Sequence, residues 1–321
     1  MGIGRARAVL TADEIFDLVR EDLRGVEIAI GVESAASVPA VTTPISKYLE
    51  RDGEKRLRAA LLLLCSRFAG GGNSRMAIQL GAVVEMIHAA TLVHDEMIDG
   101  AQTRCAWPSD DIHFANRTCV LAGDWLYIRA FRVALQERVL DVVLGAAQTM
   151  VAAELIQLDR IGRIGIAESD CLDLADRKTA CLFSICGKLG AVAGGVDPRD
   201  GEKLAEFAWN LGMAFQLIDD VLAFSRDLED GKVTLPLVYA LQPASGSERD
   251  LVESVLRDRG YAAVPFASVL ALVDRYGGIC RTRARAREFS DRALQILAEL
   301  PDSVCRRALF TLTDLVTERD C

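Results

Sequence analysis

Apolar residues recur three and four positions apart through most of this 321-residue chain, and no stretch alternates strictly between apolar and polar. A stripe with that period is buried by a helix rather than a strand. Short clusters of Gly, Pro, Ser and Asp interrupt it, so helices follow helices. The spacing predicts helices over residues 11–30, 45–69, 74–102, 113–136, 138–161, 168–194, 199–226 and 233–241, then four shorter ones from 247 to the end. Loops are expected at Gly31–Pro44 and Gly70–Asn73. Aromatics at 6% and only eight prolines agree with an all-α class. No break is rich enough in Pro, Gly or charge to be a linker and no repeat period is visible, so residues 1–321 are expected to form a single-domain large helical bundle.

Composition removes several classes of function. With 51% hydrophobic and 26% charged residues the chain is not intrinsically disordered. Its 37 basic residues against 46 acidic ones give a net charge of −9, so the general attraction to nucleic acid is missing and no nucleic-acid partner is expected. Met1–Asp13 holds two arginines but no apolar core of a signal peptide, and the longest uninterrupted apolar run is Ala59–Cys65. These features predict no transmembrane segment and a cytoplasmic location. Nine cysteines, with no C-x-x-C pair, argue against a disulfide framework. His88 and His94 are six apart, about 600° of helical rotation, which does not place them on one face for zinc.

The unusual feature is acid at the ends of apolar helices. AVVEMIHAATLVHDEMID, residues 82–99, finishes in Asp95, Glu96 and Asp99. Asp95 and Asp99 are i and i+4, about 6 Å apart on one face, where like charges repel and also oppose the helix dipole. An acidic helix end is most often simply solvated. A second instance changes that reading: the mostly apolar Phe207–Ile218 runs into FQLIDD, with Asp219 and Asp220. If the two ends are neighbours, their carboxylates form a patch that cations must neutralise, and an oxygen-only ligand set suits Mg²⁺ completed by phosphate oxygens. Basic residues supply the complement: Lys55, Arg56 and Arg58 in DGEKRLRAALLLL, Arg104, Lys178 with Thr179 in DRKTACLF, and Lys232 with Thr234 in DGKVTLP. Acid, magnesium and scattered cations together predict a phosphorylated substrate.

In order along the chain, GEKRLR (53–58), EMIHAATLVHDEMID (85–99), the TR and WPS loop (103–109), LAGDWL (121–126), KTACLF (178–183), GMAFQLIDD (212–220) and DGKVTLPL (230–237) resemble the motifs of the trans-isoprenyl diphosphate synthase, or polyprenyl synthetase, family. The resemblance implies an all-α bundle of the isoprenoid synthase type with a central cavity, a homodimer (or a heteromer), and three Mg²⁺ ions between two aspartate-rich motifs. It implies catalytic roles for Asp95, Asp99 and Lys178, and metal binding by Asp95, Asp99 and Asp219. Arg104, Thr179, Gln216 and Lys232 would hold an allylic diphosphate (geranyl, farnesyl or longer), and Lys55, Arg58 and His88 isopentenyl diphosphate. The activity implied is trans, head-to-tail condensation to a linear polyprenyl diphosphate. Ala90 and Thr91, five and four residues before Asp95, are small where bulky residues shorten the product in such enzymes, which leaves room for C20 or longer unless they merely permit close helix packing.

Four departures bear on this. Glu96 stands for a second aspartate, Cys105 and Ala106 for an arginine and a glycine, Ala223 for the last acid of the second motif, and the loop between Phe224 and Lys232 is short and lacks the lysine that commonly follows that motif. Cys105 is no substitute for a guanidinium. Asp227 lies seven after Asp220, about 10 Å along a continuing helix. Two other readings therefore stay open: a catalytically weakened prenyl-diphosphate-binding subunit of a heteromeric synthase, or a relative that ionises allylic diphosphates without adding isopentenyl diphosphate.

Overall fold

Wherever the breakers allow it, the apolar period closes into helix. The computed structural model describes residues 11–35, 45, 49, 56–68, 74–98 and 112–317, and among these there are helices and turns but no strand. Thr11 opens α1 (Ala12–Asp17) through a capping box: Glu14 N–H donates to Thr11 Oγ1 at 3.3 Å and the Glu14 carboxylate takes Thr11 N–H at 2.7 Å. The chain breaks at Leu18 and Val19 before α2 (Arg20–Ser34), so the helix expected over 11–30 is two. The second continues past Gly31 into the expected loop, because Ile30 and Ser34 are buried against the body and tertiary packing overrides a glycine's weak helical preference.

α3 (Leu57–Ser66) is buried from Ala59 to Ser66, as an all-round apolar helix must be. α4 (Ser74–Ile98), α5 (Ile112–Gln136) and α6 (Leu140–Arg160) follow. α7 (Glu168–Ala175) passes through one π-helical turn, Asp176–Ala180, into α8 (Cys181–Gly194). Asp197 accepts Arg199 N–H at 2.9 Å and Pro198 occupies the first position of α9 (Pro198–Leu222). The expected helix over 199–226 ends there; Ala223 is a hinge into the short α10 (Phe224–Glu229). Then come α11 (Leu235–Leu241), α12 (Gly246–Asp258), α13 (Phe266–Arg275), α14 (Gly278–Glu299) and α15 (Val304–Thr317). Four helices do close the chain, but α14, at 22 residues, is not short.

α4 lies among α2, α3, α5 and α8, while α9 packs on α8 and α14. α8 can wedge between α3 and α9 because its glycines remove side chains where backbones meet. A Cβ on Gly190 would strike the Leu62 carbonyl and Cys65 Cβ, and one on Gly187 the Leu204 carbonyl. Two stretches, Ser74–Asp95 and Leu140–Arg160, are long and apolar enough to cross a membrane by length and composition alone, the first of them mostly packed inside the fold. Gly190→Val is expected to destabilise the protein by about 1–3 kcal/mol through overpacking. The measurement is the urea midpoint at constant slope; an unmoved midpoint would mean that α3 and α8 do not touch there.

Candidate active site

The acid-bearing ends of α4 and α9 face the same cavity. They border one cavity of about 960 Å³, whose wall is completed by α6, α7 with the π-turn, and α10, and which extends to α1 and α15 at its other end. Asp95 from α4 and Asp219 and Asp220 from α9 all line it, together with Lys178, Thr179, Gln216, Lys232, Arg58 and His88. Lys55, Asp99, Arg104, Cys105 and Ala106 lie outside the described residues, as does the Glu96 side chain.

The π-turn aims Lys178 and Thr179 at opposite carboxylate groups. Lys178 Nζ sits 2.8 Å from Glu154 Oε1 and 3.4 Å from Asp95 Oδ2, and donates to Gln157 Oε1 at 3.4 Å. Burial works against its charge, but Asp95 and Glu154 outweigh that and hold the ammonium pKa above its ordinary value. On the other side Thr179 Oγ1 donates to Gln216 Oε1, which fixes the amide so that Gln216 Nε2 donates to Asp220 Oδ1 at 2.8 Å. Lys232 Nζ lies 3.6 Å from Asp230 Oδ2. Glu154 and Gln157 were not expected. They are the i and i+3 polar positions of AAELIQ in an otherwise apolar stretch of α6, a weak signal that only the cavity makes meaningful.

The missing acid at Ala223 is answered in an unexpected way. The helix does not continue; the turn at Ala223 into α10 carries Asp227 to the cavity wall beside Asp219 and Asp220. Burial first, and then the Asp227 charge, push the Asp220 carboxyl up to about 8 in spite of the Gln216 hydrogen bond. Burial also raises Asp227, to about 6, against the pull of Lys232 and Arg226. Crowded, desolvated, oxygen-only donors are the chemistry of a hard divalent cation site. Among the described residues no group of three or more His, Cys, Asp or Glu is placed to hold an ion alone, so a divalent ion here would need water and substrate oxygens to complete its shell. Asp95, Asp219 and Asp220 fit that role.

Of the two small residues expected to open the cavity, only Thr91 borders it; Ala90, Val83 and Met86 are packed in the core. Thr91 Oγ1 donates to the Ile87 carbonyl at 3.1 Å and lies 3.0 Å from Tyr127 Oη, whose ring stacks on Phe131 at 5.8 Å.

The raised carboxyls give a signed pH dependence. Between an ordinary pKa of 3.8 and about 8, folded Asp220 keeps a proton that the unfolded chain has lost, so stability of the metal-free protein falls as pH rises through that window. Asp220→Asn is expected to flatten this slope in thermal melts from pH 5 to 8; an unchanged slope would place the proton elsewhere.

Comparison with known proteins is consistent with this geometry. The family model described as polyprenyl synthetase matches residues 39–271. The all-trans-nonaprenyl-diphosphate synthase (geranyl-diphosphate specific) of Rhodobacter capsulatus is 34% identical over 302 residues, 89% of this chain and 92% of that one. The octaprenyl diphosphate synthase of Escherichia coli K12 is 30% identical over 97% of this chain and 100% of its own. In three dimensions the crystal structure of a Caulobacter crescentus polyprenyl synthase, complexed with calcium and isoprenyl diphosphate, superposes with a TM-score of 0.88 at 30% identity, covering 98% of this chain and 99% of that one. This chain belongs to the polyprenyl synthetase family.

Proposed function

We propose that the protein is a Mg²⁺-dependent prenyltransferase that condenses isopentenyl diphosphate with an allylic diphosphate, trans and head-to-tail, to a linear polyprenyl diphosphate of C20 or longer. The observation that carries this is one cavity with acids from α4 and α9 at its walls and Lys178, Thr179 and Gln216 between them. In the reaction the allylic C–O bond breaks and diphosphate leaves with the electron pair. The double bond of isopentenyl diphosphate then attacks the allylic cation, a C–C bond forms, and loss of a proton yields the lengthened allylic diphosphate. Bound Mg²⁺ supplies Lewis-acid stabilisation of the departing oxygens. Lys178 supplies a positive charge where negative charge develops, preorganised by Glu154 and Asp95 rather than recruited from solvent. Thr179, Gln216 and Lys232 orient the same diphosphate, with Arg104 assigned to it, and Asp99 to the metal, by motif. Arg58 and His88 hold isopentenyl diphosphate at the α3–α4 end, with Lys55 assigned to the same substrate by motif. Leu92, Met150, Leu174 and Phe215 face the cavity and keep water from quenching the cation.

The outer surface supports a homodimer. α5 exposes Leu121, Ile128 and Leu135, each seven apart, and α6 exposes Leu144, Val151 and Leu158 at the same interval with Leu155 beside them. Ile128 is 60% and Leu155 64% exposed. Adjoining apolar stripes of this kind are surfaces that a second chain covers. The homodimer acts as a cytoplasmic enzyme on this reading.

Incubation with Mg²⁺, farnesyl diphosphate and labelled isopentenyl diphosphate is expected to give prenyl diphosphates of C20 or longer on chromatography. Product formed without isopentenyl diphosphate would support an ionising relative instead, and inactivity rescued by a second protein would support a heteromer subunit. Asp95→Ala is expected to lower kcat at least about 100-fold with helical circular dichroism retained, a loss of about 2.7 kcal/mol in transition-state stabilisation. The double variant Ile128→Asp with Leu155→Asp is expected to halve the mass seen by light scattering; an unchanged mass would place the interface elsewhere.

A further inference from the structure

Arg56 stands between two cations assigned to isopentenyl diphosphate, yet its own side chain faces carboxylates. It is 8% exposed, and its Nε and Nη2 donate to Glu27 Oε1 and Oε2 at 2.5 and 3.1 Å. Nη2 also donates to the Leu49 carbonyl at 3.1 Å, and Nη1 lies 3.6 Å from Glu85 Oε2. Its backbone is left-handed, φ 35° and ψ 49°, at the N-cap of α3. A non-glycine residue is strained there and persists only where its surroundings over-determine it. Here the surroundings do: three helical or loop segments hold one guanidinium.

Glu85 is the inner half of this arrangement. It is 4% exposed on α4, and besides meeting Arg56 it accepts Ala59 N–H at 2.8 Å, one of the first-turn amides of α3 that has no partner within its own helix. One turn on from Glu85, His88 reaches the cavity, and two residues on from Arg56, Arg58 reaches the same cavity with its guanidinium 5.3 Å from the Phe183 ring centre. Glu85 therefore joins the α3 N-terminus to α4 next to both residues. Arg56 and Glu85 border the same cavity, but the Arg56 guanidinium is already engaged by two carboxylates and the Leu49 carbonyl.

We infer that Arg56 and Glu85 are positioning residues that set the α3–α4 separation, and with it the grip of Arg58 and His88 on the diphosphate of isopentenyl diphosphate. This rests on the assignment of that end of the cavity to isopentenyl diphosphate. It requires that loosening the pair weaken one substrate selectively, since the allylic side is built from α6, the π-turn, α9 and the Asp95 end of α4, which lies ten residues, nearly three turns, beyond Glu85.

The test is Glu85→Gln, which keeps an acceptor for Ala59 N–H and removes only the charge facing Arg56, compared with Asp22→Asn. Asp22 pairs with Arg67 at 2.7 Å and so also ties α2 to α3, but away from the cavity. Both variants are expected to lower the melting temperature. Only Glu85→Gln is expected to raise KM for isopentenyl diphosphate, by at least 10-fold, with KM for the allylic diphosphate within twofold of the parent; Arg56→Gln follows the same pattern, and calorimetric titration of isopentenyl diphosphate shows the matching loss of affinity. An unchanged KM for isopentenyl diphosphate, equal changes for both substrates, or an equal KM change in Asp22→Asn would each overturn the positioning role. An inactive parent whose calorimetric affinity for isopentenyl diphosphate still drops selectively in Glu85→Gln would refute the reaction and leave the positioning role standing, whereas a parent that does not bind isopentenyl diphosphate removes both.

Discussion

Everything in this bundle is arranged around charge repulsion that the fold does not resolve by itself. Asp219, Asp220 and Asp227 are drawn to one wall and Asp95 to another, with Glu154 buried against Lys178, in a setting apolar enough to push the Asp220 carboxyl up to about 8. Moving such groups apart would cost the helix packing of α4 and α9 against the core; leaving them together requires cations. Lys178 answers part of that demand and does so between two acids, so its own charge is secured in return. The remaining demand is what makes the cavity a receptor for divalent metal and for the anions that accompany it.

How this was visible in the sequence depends on distance along the chain. Asp95 and the Asp219–Asp220 pair stand out locally, because acid at the end of an apolar helix contradicts both the dipole and the i,i+4 rule. Lys178, Thr179 and Gln216 carry no such contradiction and became legible through ordered motifs. Glu154 and Gln157 did not, since two polar residues on a long apolar helix read as a solvent-facing edge until the other helices are in place. The helices themselves were legible in type and less so at their ends: a buried Ile30 carried α2 through a glycine, and the break at Ala223 has no Gly or Pro to announce it.

That break matters for the second acidic motif. Read as a continuous helix, the chain loses its last aspartate at Ala223 and offers Asp227 too far away. With the helix ended, the following turn returns Asp227 towards the same wall, where its charge is the second largest influence on Asp220 after burial. A third carboxylate of this segment therefore reaches the cavity through a change of backbone direction after Leu222.

α6 has two working faces. Met150, Glu154 and Gln157 look inward, while Val151, Leu155 and Leu158, on the adjacent positions, look outward. Leu155 directly follows the carboxylate that steadies Lys178 at 2.8 Å, so whatever shifts the outer stripe along or about the helix axis shifts that carboxylate with it.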